Sequence, residues 1–377
     1  MTIERVEVFA LEHTFLPRRG VSIALWNDRS YILVKLTDTD GVVGWGETYL
    51  GAGTVATAEA VGAGLIGRSA SDALALKSEA NGAAQDAYVW SAFSIAIDDL
   101  RARQAGIPVH ELYGGARRSR IRAYAASGGY VEGEDPAVTW PREMAQVLEA
   151  GFTAWKLRIG RFPLAHEGPI YRRLRAELPP EVDLMADGNG GYTFRQAIAT
   201  GNVLGELGFL WWEEPLRQWD GYVGYERLAA ALDIALAGGE ITMSRGAARD
   251  LIDRAGVDII QPDPVICGGI SETLFIADLA RLNAITCAPH TSGSAIGIAA
   301  AIQVIAALPD PTRLPLHDVP ILEYGVDPNP WRTDLLAEPL QFRNGWVDIP
   351  TGPGLGVQVN EAHVRRVASD IRVVTAR

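Results

Sequence analysis

Apolar and polar residues follow two different rhythms along the chain, and the change falls near residue 120. Before it, MTIERVEVFALEH at the start and YILVKLTDTDGVVGWGETY at 31–49 have strand-like alternation. Asp40-Gly41, between the halves of the second stretch, marks a hairpin turn. VWSAFSIAIDDLRARQAG at 89–106 then has helical spacing and stops at a glycine, with Pro108 just beyond. Strands followed by helices predict an α+β domain over residues 1–120.

From residue 121 short apolar runs alternate with longer helical stretches. The runs are IRAYAAS (121–127), AWKLRI (154–159), VDLMAD (182–187), FLWWEE (209–214), IALAGGE (234–240), VDIIQPD (257–263), AITCAPH (284–290) and PILEYG (320–325). Eight such strand–helix units predict an α/β fold, a (β/α)8 TIM barrel over residues 121–345. An open doubly wound sheet is the rival, but no Gly-x-Gly-x-x-Gly follows a first strand. AIGIAAAIQVIAAL (295–308) is too short to span a bilayer and contains Gln303, so it reads as a core helix. The segment 346–377, Gly/Pro-rich and then strand-like, is expected to leave the barrel and pack back on the first domain.

The later runs end in chemically capable residues. Asp187, Glu213, Glu240, Asp263 and His290 follow one another at one strand–helix unit each, and Glu323 lies within the eighth run. Lys156 and Arg158, two apart in the second run, face the same side. In a barrel these groups converge on the C-terminal mouth. A single acid at a strand end is ordinarily a helix cap or a surface group; recurrence at one period and one polarity sets this series apart. Three carboxylates on successive strands, Asp187, Glu213 and Glu240, suit a hard divalent cation, Mg²⁺ rather than Zn²⁺. Asn189 stands beside the first of them. Glu214 is expected to turn away from the metal, because strand neighbours face opposite sides. Asp263, one strand away from His290, can fix the imidazole tautomer and raise its basicity. Lys156 and Arg158 supply fixed positive charge, and Glu323 can bond an oxygen where negative charge develops. His13, His110, His166, His317 and His363 have no such context and read as structural or surface residues. PRRGVSIALW, with Arg18, Arg19 and Trp26, forms a lid or a loop.

A formal net charge of −12 disfavours nucleic acid as a partner, though it leaves room for a small anion held by a local metal or cation cluster. Cys267 and Cys287 have no metal-ligand spacing and read as small buried hydrophobes. No charged tip precedes an apolar block at the start, so a cytoplasmic location and no membrane partner are expected.

Over essentially its full length the chain resembles the enolase superfamily and, within it, the mandelate racemase subgroup. The resemblance rests on GWGET (44–48), IAIDDLRARQAGIPVHELYGG (95–115), Lys156-Leu-Arg158, ADGN (186–189), WWEEP (211–215), GGE (238–240), QPD (261–263), APH (288–290) and GPGLG (352–356). It implies a capping domain on a modified barrel, Mg²⁺ on Asp187, Glu213 and Glu240, an Asp263–His290 acid/base dyad, and Glu323 as electrophile. It also implies removal of a proton α to a carboxylate through an enediolate, and a symmetric homo-oligomer. Capping-domain loops near 15–30 and 49–56 would set the substrate, bringing in Arg18, Arg19, Trp26 and Tyr49. One departure matters: the subgroup's Lys-x-Lys is Lys156-x-Arg158 here. A guanidinium is a poor base, which disfavours racemisation or epimerisation. Dehydration of a sugar acid to a 2-keto-3-deoxy acid is therefore the leading expectation. Cycloisomerisation of a sugar-diacid lactone comes second, since LEYGVDPNPWR (322–332) is similar to the same segment of galactarolactone cycloisomerases. A non-catalytic metal-binding barrel and a metal-dependent hydrolase are weaker alternatives, and polar diacids are favoured as substrates.

Overall fold

β-Branched and aromatic residues open the chain as three antiparallel strands: β1 (Ile3–Gly20), β2 (Leu25–Asp38) and β3 (Val43–Tyr49). This computed structural model describes residues 1–75, 84–218, 221–309 and 320–376. At the β2–β3 turn Asp38 Oδ1 accepts from the amides of Asp40 and Val42, at 2.9 and 2.8 Å, and Gly41 has φ 77°. Helices α1 (Thr54–Leu65), α2 (Ala70–Ala75) and α3 (Ala84–Ala105) follow. Gly44 and Gly46 bring β3 against α3. A Cβ on either would lie about 2 Å from the carbonyl oxygen of Ala96 or Ala92, so no larger residue fits there.

The second half runs β4 (Arg120–Ser127), β5 (Tyr130–Val131), α4 (Pro136–Glu149), β6 (Ala154–Arg158), α5 (Leu164–Glu177), β7 (Asp183–Asp187) and α6 (Phe194–Glu206). It continues with β8 (Trp211–Glu213), α7 (Tyr225–Ala229), β9 (Ala235–Gly238), α8 (Arg245–Asp250), β10 (Ile259–Ile260), α9 (Ile270–Leu282), β11 (Thr286–Cys287), α10 (Ala295–Ala307) and β12 (Leu322–Gly325). Eight strands pair in parallel in the order β12-β4-β6-β7-β8-β9-β10-β11. No ladder joins β11 to β12 among the described residues. Instead the Thr291 hydroxyl donates to the Glu323 carbonyl at 2.5 Å and its amide to Glu323 Oε2 at 3.3 Å.

Two differences from the sequence expectation stand out. The later strands are shorter than their apolar runs, so Glu240, Asp263 and His290 sit on the loops leaving β9, β10 and β11. The eighth strand is followed by a short 3-10 turn at Pro330–Arg332 rather than by a barrel helix. The chain then forms β13 (Phe342–Arg343) and β14 (Trp346–Asp348), and β14 pairs with the start of β4. Helix α11 (Glu361–Val367) and β15 (Asp370–Thr375) end the fold, with β15 antiparallel to β1. The last segment thus touches the barrel before it joins the first sheet.

Every residue of α10 is buried, as expected of a core helix. No helix among the described residues is long and apolar enough to cross a membrane. Cys267 and Cys287 are buried and unpaired by disulfide. The capping sheet grips the barrel mouth through consecutive residues of β3. Glu47 accepts from the amides of Ser294 (2.6 Å) and Gly297 (2.9 Å) and from the Ser294 hydroxyl, at the start of α10. Thr48 donates to the Val265 carbonyl at 2.7 Å. Tyr31, opposite Tyr49 on β2, donates to the Ser292 carbonyl at 2.8 Å.

Candidate active site

The seam between cap and barrel encloses a cavity of about 400 Å³. Arg158, Asn189, Glu214, Glu240 and His290 face it from the barrel, and Trp26 and Tyr49 from the cap.

One oxygen from each of Asp187, Glu213 and Glu240 lies within 4.8 Å of the others. Burial, reinforced by the charge on Glu213, pushes Asp187 up to about 7, even though Arg158 lies 2.7 Å away. Burial also raises Glu240. Glu213 Oε1 is buried without a hydrogen-bond partner. Buried carboxylates that repel one another and keep an unpartnered oxygen fit a hard divalent cation, and the all-oxygen set suits Mg²⁺.

The remaining contacts hold these acids in place. Lys156 Nζ donates to Glu213 Oε2 at 2.6 Å and pairs with Glu323 Oε1 at 2.9 Å. Gln261 Nε2 donates to the same Glu213 oxygen at 2.7 Å. Arg158 Nη1 reaches Asn189 Oδ1 at 3.3 Å as well as Asp187. Asn189, at φ 43°, turns its backbone amide and its side-chain amide onto the two Asp187 oxygens, at 2.8 and 3.0 Å.

His290 Nδ1 lies 2.8 Å from Asp263 Oδ2, and the other Asp263 oxygen accepts from the Val265 amide at 2.9 Å. With a carboxylate acceptor at Nδ1, the neutral ring carries its hydrogen there and turns Nε2 toward the other acids. Nε2 is 3.3 Å from Glu240 Oε2 and 3.9 Å from Glu323 Oε2. Burial alone would lower the imidazole; with no cation on the neighbouring acids, the charges of Glu323, Glu240 and Asp263 reverse this and raise it to about 10, and a cation held by Glu240 would offset that charge and favour the neutral, basic form. Burial would likewise raise Glu323, but Lys156, His290 and Arg158 keep it at about 2.

Three placements differ from the sequence reading. Glu214 stays outside the Asp187, Glu213 and Glu240 set, but not by strand alternation: its φ is 40°, and it lines the cavity, with Oε1 buried and unpartnered. Arg18 and Arg19 do not line the cavity. Residues 19 and 20 pair with β5, which holds Arg18 beside Glu132 at the surface and Arg19 4.0 Å from Asp327. Lys156 faces inward but is only 1% exposed behind its two acids, and it too is absent from the cavity wall. The sequence reading missed Gln261, the apolar wall of Val21, Ile23, Ala24 and Ile266, and Tyr88 on α3. Of these only Gln261, inside the quoted QPD, had a motif to mark it. His13, His110, His166 and His363 lie off the cavity wall, and His317 is outside the described residues.

Comparison with known proteins matches residues 140–363 to an enolase C-terminal domain-like family and residues 5–114 to the mandelate racemase / muconate lactonizing enzyme N-terminal domain. The chain belongs to the mandelate racemase / muconate lactonizing enzyme family of the enolase superfamily. It is 35% identical to the D-galactarolactone cycloisomerase of Agrobacterium fabrum, over 96% of this chain and 97% of that one. It is 29% identical to the L-talarate/galactarate dehydratase of Salmonella typhimurium, over 88% of this chain and 80% of that one. The crystal structure of that dehydratase superposes with a TM-score of 0.87 at 27% identity, covering 100% of this chain and 94% of that one. The 3,6-anhydro-D-galactonate cycloisomerase of Zobellia galactanivorans superposes at 0.86 with 26% identity, covering 98% of this chain and all of that one. As an enolase-superfamily protein with such relatives, the chain is a lyase or an isomerase on a capped barrel.

Proposed function

We propose that this enolase-superfamily enzyme uses His290 to remove the α-proton of a sugar carboxylate and then expels an oxygen from the β-carbon. The carrying observation is the asymmetry of its bases. One imidazole, oriented by Asp263, stands in the cavity wall. The position of the second family base holds Arg158, whose charge is fixed against Asp187. Racemisation needs a base on each face of the carbon, whereas elimination needs one. Mg²⁺ held by Asp187, Glu213 and Glu240 would supply fixed positive charge against the substrate carboxylate and the enediolate. Arg158 adds a fixed cation beside it, Lys156 and Gln261 keep Glu213 oriented, and the cap residues Trp26 and Tyr49 help enclose the cavity.

Ring opening of a sugar lactone is placed ahead of dehydration. A lactone carboxylate leaves without a proton, so a single imidazole suffices; a departing hydroxide needs that imidazole to return its proton as an acid. The full-length likeness to a galactarolactone cycloisomerase supports this order, and the likeness to sugar-acid dehydratases keeps dehydration as the second reading. Proton NMR with Mg²⁺, over sugar acids and their lactones, tests both. A lactone converted to an open-chain 2-keto-3-deoxy diacid is the expected result, and a keto product formed only from open-chain acids would reverse the order. No loss of any α-proton would remove the proposal.

A further inference from the structure

We propose that Tyr49 of the cap is a positioning residue for the acid–base pair, its hydroxyl fixing the plane of the Asp263 carboxylate that orients His290. This inference rests on the reading of His290 as the base and specifies what holds that base. The observation is a chain of contacts that closes on one carboxylate. Asp263 Oδ2 accepts from the Tyr49 hydroxyl at 3.3 Å and lies 2.8 Å from His290 Nδ1. Asp263 Oδ1 accepts from the Val265 amide at 2.9 Å, and the carbonyl of the same Val265 accepts from the Thr48 hydroxyl at 2.7 Å. Thr48 and Tyr49 are the last residues of β3, so the end of one cap strand reaches both oxygens of Asp263, one directly and one through Val265. The Tyr49 ring is held in turn. Its centroid is 5.7 Å from that of Tyr31, whose hydroxyl donates to the Ser292 carbonyl and accepts from Asn329 Nδ2 at 3.1 Å.

The second tie matters because an aspartate carboxyl turns easily about its last torsion. With Oδ1 held by Val265 alone, Oδ2 and the imidazole are free to swing together. A donor from the other domain removes that freedom, and with it the direction of Nε2 is set. The sense of the Tyr49 bond follows from its partner. A carboxylate that already takes hydrogen bonds from an amide and an imidazole N–H offers acceptor sites, so the phenol donates. Burial and the charge of Asp263 push that phenol well above its ordinary range, which keeps the proton on it. The proton is thus committed to Asp263, and Tyr49 presents its ring to the cavity rather than a donor to the substrate. Loss of the hydroxyl is then felt in proton removal from every substrate, not in the choice among substrates. It also makes the orientation of the base depend on docking of the cap, since β3 belongs to the first sheet and Asp263 to the barrel.

Tyr49→Phe tests this, because it removes one oxygen and leaves the ring against Tyr31. Two readouts are taken on the Mg²⁺-loaded protein. The first is the Nδ1–H proton resonance of His290, observed with ¹⁵N-labelled histidine and assigned by its disappearance in His290→Asn. In the wild type it is expected as a sharp signal, slow to exchange with water. In Tyr49→Phe it should exchange about fivefold faster or broaden away. No such resonance in the wild type, or equal exchange in the two proteins, would overturn the inference whatever the chemistry. The second readout is α-proton loss by NMR with each sugar acid or lactone that turns over. Tyr49→Phe is expected to lower kcat about tenfold, by the same factor for each substrate, with KM kept within about twofold. A raised KM with kcat kept, or a changed order of substrates, would make Tyr49 a substrate contact and remove the positioning role. If no substrate loses its α-proton, the elimination reading falls, and the resonance alone decides whether Tyr49 positions His290. The rise in melting temperature with Mg²⁺ should be the same in both proteins; its loss in the variant would mean that Tyr49 acts through the metal site and would overturn the inference.

Discussion

Buried carboxylates occur in two settings in this protein, and they are built in opposite ways. Away from the mouth, Glu167 accepts from the hydroxyls of Tyr130 and Tyr171 at 2.5 Å each, and from the amides of Gly160 and Phe162 at 2.9 and 3.0 Å. Glu47 likewise meets two amides and a hydroxyl at the start of α10. These acids are complete within the chain, and they fasten a loop and a domain seam. At the mouth, Glu213 and Glu214 each keep an unpartnered oxygen, and Asp187, Glu213 and Glu240 bring carboxylate oxygens within 4.8 Å of one another. A buried acid satisfied by the fold stabilises it; a buried acid left short is a cost the fold carries for something it binds.

The comparison can be broken most sharply at Glu240. Glu240→Gln is expected to lower turnover at least ~1000-fold, because a charged ligand of the cation is lost. The metal-free melting temperature should stay level or rise, since a repelling charge has gone. A clear fall in metal-free stability would place Glu240 among the structural acids. Glu167→Ala should do the reverse. Leaving its buried donors unpaired is expected to cost about 3 kcal/mol in urea unfolding, and the loop that follows Arg158 should loosen with it. A loss under about 1 kcal/mol would mean that water replaces the carboxylate easily.

The smallest effect concerns a third, peripheral case. Burial would raise Glu7, but hydrogen bonds from Arg5 and Arg365 and the charge of Lys35 hold it at about 2, below its ordinary 4.5. Because its folded-state value is depressed, this contribution is complete above about pH 4.5 and is lost as pH falls toward 2. Glu7→Gln should flatten that part of the acid stability profile. An unchanged profile would show that the cluster, which ties β1 to α11, is screened by solvent.

Much of the barrel and the mouth acids was legible in the sequence because periodicity is a backbone property. Asp187, Glu213, Glu240, Asp263 and His290 repeat at the strand–helix interval, and parallel pairing brings such positions to one rim. The place of Glu214 on the cavity wall was not legible because alternation holds only while the backbone is extended, and the left-handed turn at that residue leaves no mark in the apolar run before it. Arg18 and Arg19 were misplaced because their direction depends on pairing with β5, more than a hundred residues away in the chain. Glu167 was missed for a related reason. Its donors come from β5, the loop after β6 and α5 itself, and a lone glutamate near the start of a helix looks like a solvated cap. Val21, Ile23 and Ala24 of the cavity wall lie inside the segment read as a lid or a loop, but as apolar residues they carry no chemical motif of their own.

The most direct measurement is thermal unfolding of the wild-type protein against Mg²⁺ concentration at fixed pH and ionic strength. If the mouth carboxylates are left short so that a cation can complete them, stability must rise with Mg²⁺, by about 2.7 kcal/mol at a hundred times the dissociation constant. Glu240→Gln must lose most of that gain, and Glu7→Gln must keep it. A wild-type melting temperature indifferent to Mg²⁺ would contradict the account, because the repulsion among Asp187, Glu213 and Glu240 would then serve no bound ion.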